Sequence, residues 1–395
     1  MATIGQIRGM LLEEILLYLL RASGYSTVEK INPKDDSIKQ GKAGLELLGR
    51  GGVHQIDAIA EFVVSPPFSN PQRLLVEAKF FNKKSVGIEV VRNAIGVLKD
   101  VGEYWVSRNG APARARYHYQ YALFSATSYS EPAQRYAYAH DVYLIPLGNS
   151  RFMRPILDKI GSLTAKSFGA ESDTKILVNL SNFRAFFRKK INSSFDNFEN
   201  IGLSVIFQDE NIYHQGFQDF DYHEEEIDNI DPMVYHIDPM MKQGKGVPNY
   251  VLRDLQQNLD AVREYIDQGV NKALVGMISR QFPVFLVPNE RTDLQELSTK
   301  YLHHIRIYWD NEKGWWFTST PRNNIKFSFS FDLPKKLFEL YEKQGLLTNT
   351  RALDMKVDYM NEIEAIVFID QKPRIIRFLL DIEWIEQLRH FLRNE

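Results

Sequence analysis

Two apolar stretches decide the reading: Val53-His54-Gln55-Ile56-Asp57-Ala58-Ile59-Ala60-Glu61-Phe62-Val63-Val64 and Arg73-Leu74-Leu75-Val76-Glu77-Ala78-Lys79-Phe80. Both have the composition and length of strands. Between them lies Ser65-Pro66-Pro67-Phe68-Ser69-Asn70-Pro71, whose prolines lack the N–H that a ladder needs. The pair therefore reads as an antiparallel hairpin. Each strand carries charge where the pattern is apolar. Asp57 sits in the first. Glu77 and Lys79 sit in the second, two residues apart and so on one face. With the right register all three converge. Burying them without partners is costly, and a bound divalent cation is the natural compensation.

Working outward, Ile4, Ile7, Leu11, Leu12, Ile15, Leu16, Leu19 and Leu20 predict a helix over 4–22, ended by Gly24. Residues 30–44 read as loop. Ile88, Val91, Ile95, Leu98 and Val101 predict a helix over 86–106. Strands follow at 119–127 and 142–147, with a short helix at 132–140 between them. The first 150 residues are thus expected to be an α/β domain with a central mixed sheet flanked by helices. Residues 151–395 read as a second α+β module. Its strands are expected at 282–287, 305–309, 315–318 and 325–331, and its helices at 248–267, 292–301, 333–344 and 382–392. No named motif marks it. Recognition, partner binding and dimerisation are its candidate tasks.

Composition bounds the chemistry. The chain has 395 residues, 44% hydrophobic and 25% charged, enough to bury real cores, so disorder is excluded. Cysteine is absent, which excludes thiol catalysis, zinc–thiolate sites and iron–sulfur clusters. A cysteine-free chain fits a reducing, cytoplasmic setting. No apolar run reaches membrane-spanning length, and Arg8, Glu13 and Glu14 do not suit a signal peptide. Net charge is −2, but residues 1–160 carry about +5 and the remainder about −7. A mildly basic front half suits an anionic partner without requiring one.

The carboxylate pair selects the metal. Mg²⁺ is a hard ion that takes carboxylate oxygens and keeps several waters. Asp57, Glu77 and the Ala78 carbonyl are candidate ligands, with Glu13 or, failing it, Glu14 from the first helix. Such an ion lowers the pKa of a bound water and polarises a phosphodiester. Lys79 is placed to orient that water and to stabilise developing negative charge.

Asp57 followed by Glu77-x-Lys79, after a Glu-bearing helix, resembles the PD-(D/E)xK nucleases. The pattern is most similar to the Mrr-like restriction endonucleases, over residues 4–147 or so. Glu13 stands eleven residues before Gly24-Tyr25, as the family's helix glutamate does. Gly49-Arg50-Gly51-Gly52-Val53-His54-Gln55-Ile56-Asp57 resembles its glycine-rich approach. The helix around Val90 to Leu98 and the segment Ala122 to His140 also match. There are departures: Ile56 replaces the proline before Asp57, Glu77 stands where Mrr relatives often have Gln, and the hairpin linker is long.

The resemblance implies a restriction-endonuclease-like core. It implies catalytic Asp57, Glu77, Lys79 and Glu13, a Mg²⁺ cofactor with Mn²⁺ as substitute, and double-stranded DNA as substrate. It also implies a role in restriction or anti-phage defence, as a homodimer or as a member of a larger complex, without a membrane partner. Lys42, Arg50, Lys83 and Lys84 flank the site strands and are candidate phosphate contacts. Two other readings stay open: a catalytically silent nuclease fold serving as a DNA-binding or assembly subunit, and a nuclease acting on RNA or structured DNA.

Blander readings stand beside these. Glu77 and Lys79 could be an exposed cross-strand pair, and Glu13-Glu14 the solvent face of a helix. The aromatic runs Phe183 to Phe187 and Trp315-Trp316-Phe317 suit core packing better than base stacking. Gly244-Lys245-Gly246 lacks the spacing of a nucleotide-binding loop. His223-Glu224-Glu225-Glu226 reads as an acidic loop.

Overall fold

The stretch that starts at Val53 is two strands, not one, and it breaks at Asp57. The computed structural model describes residues 2–28, 31, 35, 37–41, 44–63, 68–81, 83–103, 116–192, 206, 247, 249–280, 282–310, 314–333, 349–370 and 372–394. The chain forms two compact units: Met1–Glu14 with Asp158–Glu264, and Ile15–Leu157 with Tyr265–Glu395. The expected acidic loop, the Gly244-Lys245-Gly246 run and most of the 333–344 helix lie outside the described residues.

The first helix is α1 (Ile4–Ala22), where the apolar spacing predicts it. Strands β1 (Tyr25–Thr27), β2 (Ile38–Gln40), β3 (Leu45–Leu48), β4 (Val53–Ile56), β5 (Ala58–Phe62) and β6 (Gln72–Lys79) follow. β2 falls where loop is expected. It pairs with β3, and β3 pairs with β4, as a small antiparallel sheet. β5 leaves that sheet and pairs antiparallel with β6, Ala58 opposite Val76. The expected hairpin therefore exists, but only its second half belongs to the sheet that carries Glu77.

Next come α2 (Ile88–Glu103), β7 (His118–Ser125), α3 (Glu131–Ala139) and β8 (Val142–Pro146). The sheet order is β1-β5-β6-β7-β8, with β6, β7 and β8 parallel. The parallel strands need the crossovers that α2 and α3 supply. α2 buries Val91, Ala94, Val97 and Val101, a face that shares Val91 and Val101 with the predicted stripe, while Ile88, Ile95 and Leu98 are only half-buried beside it. That face packs on Ile59, Leu75, Tyr121 and Leu123 of the sheet. Leu74, Leu75 and Val76 are all buried, as in a strand covered on both faces. α3 starts at Glu131 because the Ser130 side chain caps the Ala133 N–H. The Gly24 backbone has φ +86°, and Phe368 packs where a β-carbon would stand, so glycine is required there twice over.

The later region is a closed barrel rather than an unspecified α+β module. Its strands are β9 (Leu274–Ile278), β10 (Phe282–Pro288), β11 (Leu302–Asp310), β12 (Gly314–Ser319), β13 (Ser328–Phe331), β14 (Glu362–Ile369) and β15 (Lys372–Leu380). They close in the order β10-β13-β12-β11-β15-β14-β9. All neighbours are antiparallel except β11 and β15. Alternation puts Phe317, Phe329 and Phe378 in one core with Phe327, all fully buried. The 292–301 helix shrinks to one turn at Leu294–Leu297, because β11 already begins at Leu302. The other unit contains α4 (Arg154–Ser162) in part, then α5 (Leu180–Asn192) and most of α6 (Asn249–Gln268). Phe183, Phe186 and Phe187 of α5 are buried, as the packing alternative has it. Helices α7 (Leu294–Leu297), α8 (Asn349–Tyr359) and α9 (Ile382–Asn394) follow among the described residues. Among the described residues, no helix is long and apolar enough to cross a membrane.

Candidate functional site

Asp57 occupies the bend where the chain changes sheets, so its side chain is not committed to either ladder. Its carboxylate accepts a hydrogen bond of 2.9 Å from the Ala78 N–H. Ala78 is past the end of the β5–β6 pairing, which stops at Ala58 opposite Val76. The Asp57 side chain thus takes over a main-chain donor that the ladder no longer satisfies. This ties it to the main chain of β6 at the residue between Glu77 and Lys79 in sequence.

Glu77 and Lys79 share a face of β6, as their spacing predicts, and their side chains meet at 2.5 Å. Glu77 also accepts a hydrogen bond of 2.9 Å from the Tyr121 hydroxyl on β7. Burial, with Glu77 and Asp57 adding to it, pushes the Tyr121 phenol far above its ordinary value. Tyr121 therefore remains a donor to the carboxylate. The Glu77 side chain is 14% exposed and that of Lys79 is 30% exposed, so the pair is neither sealed nor fully in water. The solvated cross-strand reading does not describe it.

The structure thus links Asp57 to the Ala78 main chain and Glu77 to Lys79. The donor set suits a hard ion that retains water: two carboxylates and a main-chain carbonyl, without thiol or imidazole. Among the described residues, no group of three or more acidic or histidine side chains forms a metal cluster.

Glu13 and Glu14 belong to the other compact unit. Glu13 pairs with Arg184 at 2.6 Å. Glu14 is fully buried and held by both Arg184 and Arg188. Burial works against the Arg184 charge, but the two glutamates outweigh it and hold its pKa above the ordinary value. These arginines stand four apart on α5, within the Phe183–Lys190 segment. They meet α1 from some 170 residues away in sequence.

Among the expected phosphate contacts, Arg50 is exposed and pairs with Glu103 at 3.3 Å. Lys83 and Lys84 are exposed just beyond β6. Lys42 lies outside the described residues. His54 Nε2–H donates to Asp100 at 2.7 Å, and Asp100 also accepts from the Gly51 and Gly52 N–H groups. That is a satisfied structural histidine.

Two residues that the sequence reading passed over matter here. Tyr121 left only a faint signal, a phenol in an apolar strand. Arg73 left a clearer one, the same parity on β6 as Glu77 and Lys79. It is fully buried, at 2.5 Å from Asp35 and paired with Glu61, with its guanidinium 3.4 Å from the Tyr117 ring centroid.

No protein-family model matches the chain, and no curated protein is similar to it. One solved structure, the protein of unknown function AF1548, aligns with 38% of this chain and 76% of its own at 20% identity. Its TM-score is 0.23, too low to bear on fold or activity.

Proposed function

We propose that this chain is a metal-dependent nuclease that hydrolyses phosphodiester bonds of double-stranded DNA, on a restriction-endonuclease-like core resembling the Mrr-like PD-(D/E)xK enzymes. The observation that carries the reading is the hydrogen bond of Asp57 to the Ala78 N–H, on the strand where Glu77 and Lys79 pair. Mg²⁺, or Mn²⁺ in its place, supplies Lewis acidity and a water of lowered pKa.

The chain's own groups do the remainder. Asp57, Glu77 and the Ala78 carbonyl present hard oxygens. Tyr121 fixes one oxygen of Glu77 and leaves the other to Lys79. Lys79 is a cation beside the attacked phosphate, where negative charge develops. Glu13 is engaged by Arg184, so the proposal rests on the two-carboxylate core. Arg50, Lys83 and Lys84 would position the duplex through its backbone. Duplex cleavage by one site per chain calls for a homodimer or a partner complex, in keeping with a restriction or defence role.

Plasmid incubated with the full chain and Mg²⁺ tests this. Metal-dependent nicking should fall about 10²–10³-fold or more in Asp57→Ala and Lys79→Ala. Equal nicking by both variants would overturn the assignment. Metal-independent DNA binding with no cleavage would favour the silent assembly subunit. That reading gains some support from Glu77 being already engaged by Lys79 and Tyr121.

A further inference from the structure

Within the unit Ile15–Leu157 with Tyr265–Glu395 lies a cavity of about 280 Å³, between the five-stranded sheet and the outside of the barrel. One wall is the sheet face made by Leu74 of β6, Ala122 and Phe124 of β7 and Ile145 of β8. Alternation puts Glu77, Lys79 and Tyr121 on the reverse face of the same strands. The facing wall is Val275 and Met277 of β9, Pro283 and Phe285 of β10, and Ile366 of β14. The gap is not a failure of the two layers to meet. Tyr138 stacks on Phe282 at 6.2 Å, Phe152 meets Phe285 edge-on at 5.3 Å, and Phe368 packs against Gly24.

The lining states what the cavity would take. None of the residues lining it is charged. An anion or a metal ion would lose its water without gaining a counter-charge, which is prohibitive. Walls this apolar favour an apolar ligand through the surface it removes from water. Yet the wall also holds two amides, Gln72 and Gln120, which alternation places on the same face as Leu74 and Ala122. Neither side chain has a hydrogen-bond partner among the described residues. Tyr25 and Tyr143 also line it. Each amide offers a donor and an acceptor side by side. Mostly apolar walls with a few polar groups are the composition of a small-molecule site.

We propose that this cavity binds an uncharged, largely apolar small molecule with a hydrogen-bonding edge, enclosed by the sheet and barrel walls and oriented by Gln72 and Gln120. The site is independent of the nuclease assignment and takes a different class of ligand.

N-phenyl-1-naphthylamine is a suitable probe: neutral, aromatic, with one N–H, and fluorescent when removed from water. Its sulfonated relative, 1-anilinonaphthalene-8-sulfonate, adds a negative charge to the same skeleton. The full chain should take up one equivalent of the neutral dye with a blue shift and bind the anion at least tenfold more weakly. Ala122→Phe and Val275→Trp fill the cavity from opposite walls, so one can fail to fold without ending the test. A filled variant that still melts cooperatively should lose the neutral dye at least tenfold. Gln72→Leu with Gln120→Leu should weaken it about fivefold, the worth of one hydrogen bond. No saturable uptake by the wild type, equal uptake by a folded filled variant, or equal binding of the anion would each overturn the proposal. An unchanged affinity in the double glutamine variant would remove the orienting role.

Discussion

The five-stranded sheet and the barrel bury opposite things. The sheet hides charge: Arg73 with Asp35 and Glu61, and Glu77 with Lys79 and Tyr121, all within or beside apolar strands. The barrel hides rings: Phe317, Phe327, Phe329 and Phe378 have centroids 5.0–6.5 Å apart. Ring burial returns free energy directly through removed apolar surface and edge contacts. Buried ion pairs return little over well-packed apolar residues. The barrel core therefore gains most from apolar burial, whereas the sheet holds groups whose burial returns little stability.

The largest effect expected from this contrast is in the barrel. Phe378→Ala removes a ring that touches three others, and should lower the unfolding free energy by about 3–5 kcal/mol. Urea denaturation reads this. A loss below about 1 kcal/mol would mean that the barrel interior is not a close-packed core.

Arg73→Met comes next. It strands the Asp35 and Glu61 carboxylates in a partly buried place, and should cost about 3 kcal/mol, the low end for breaking such a pair. Burial alone would raise the Asp35 carboxyl, but the Ser37 hydroxyl and the Arg73 guanidinium outweigh it and hold its pKa below the ordinary value. That part of the stability is present above the usual carboxylate range and is lost as pH falls through the lowered value. Adding Asp35→Asn and Glu61→Gln to Arg73→Met should restore most of the loss. If the triple variant is as unstable as the single one, the cluster is packing rather than charge.

The same contrast explains what could be read in the sequence. Charge inside an apolar strand stands out, so Asp57, Glu77 and Lys79 were legible, as were the helices around them with their clear periodicity. The break at Asp57 was not, because Val53 to Phe62 is uniformly strand-like and nothing local says that the chain changes sheets. β9, β14 and β15 escaped for a related reason. Glu362-Ile363-Glu364-Ala365-Ile366 alternates weakly, and barrel closure is a long-range pairing that leaves no mark in any short window. Arg184 and Arg188 were visible as basic residues, but their partners Glu13 and Glu14 lie on α1, far away in sequence.

Tyr121→Phe tests the sheet at finer grain. It keeps the ring and deletes only the donor to Glu77, at an expected cost of about 1.5 kcal/mol, since the acceptor is charged. Under the nuclease reading the same change should also weaken Mn²⁺ binding, measured by electron paramagnetic resonance. Stability and affinity both unchanged would mean that Lys79 alone holds the carboxylate.

The smallest effect has the opposite sign and lies in the barrel. Lys356 of α8 is the exception there: its ammonium donates to the Ile307 carbonyl at 2.7 Å and lies 5.5 Å from the Trp384 ring centroid. No carboxylate pairs with it among the described residues. Burial lowers its pKa from 10.5 to about 8. Between those values the unfolded chain holds a proton that the folded one has released, so stability rises with pH across that window. Below about pH 8 the full penalty applies. Lys356→Met should therefore be more stable than the wild type at pH 7, by about 1 kcal/mol once partial solvent access and the carbonyl contact are allowed for. The two proteins should converge near pH 10.5. Unfolding measured at pH 7, 8.5 and 10 gives the difference. A constant offset would trace the gain to packing on Trp384, and a wild type more stable at pH 7 would mean that the carbonyl and ring contacts offset the burial of the Lys356 charge.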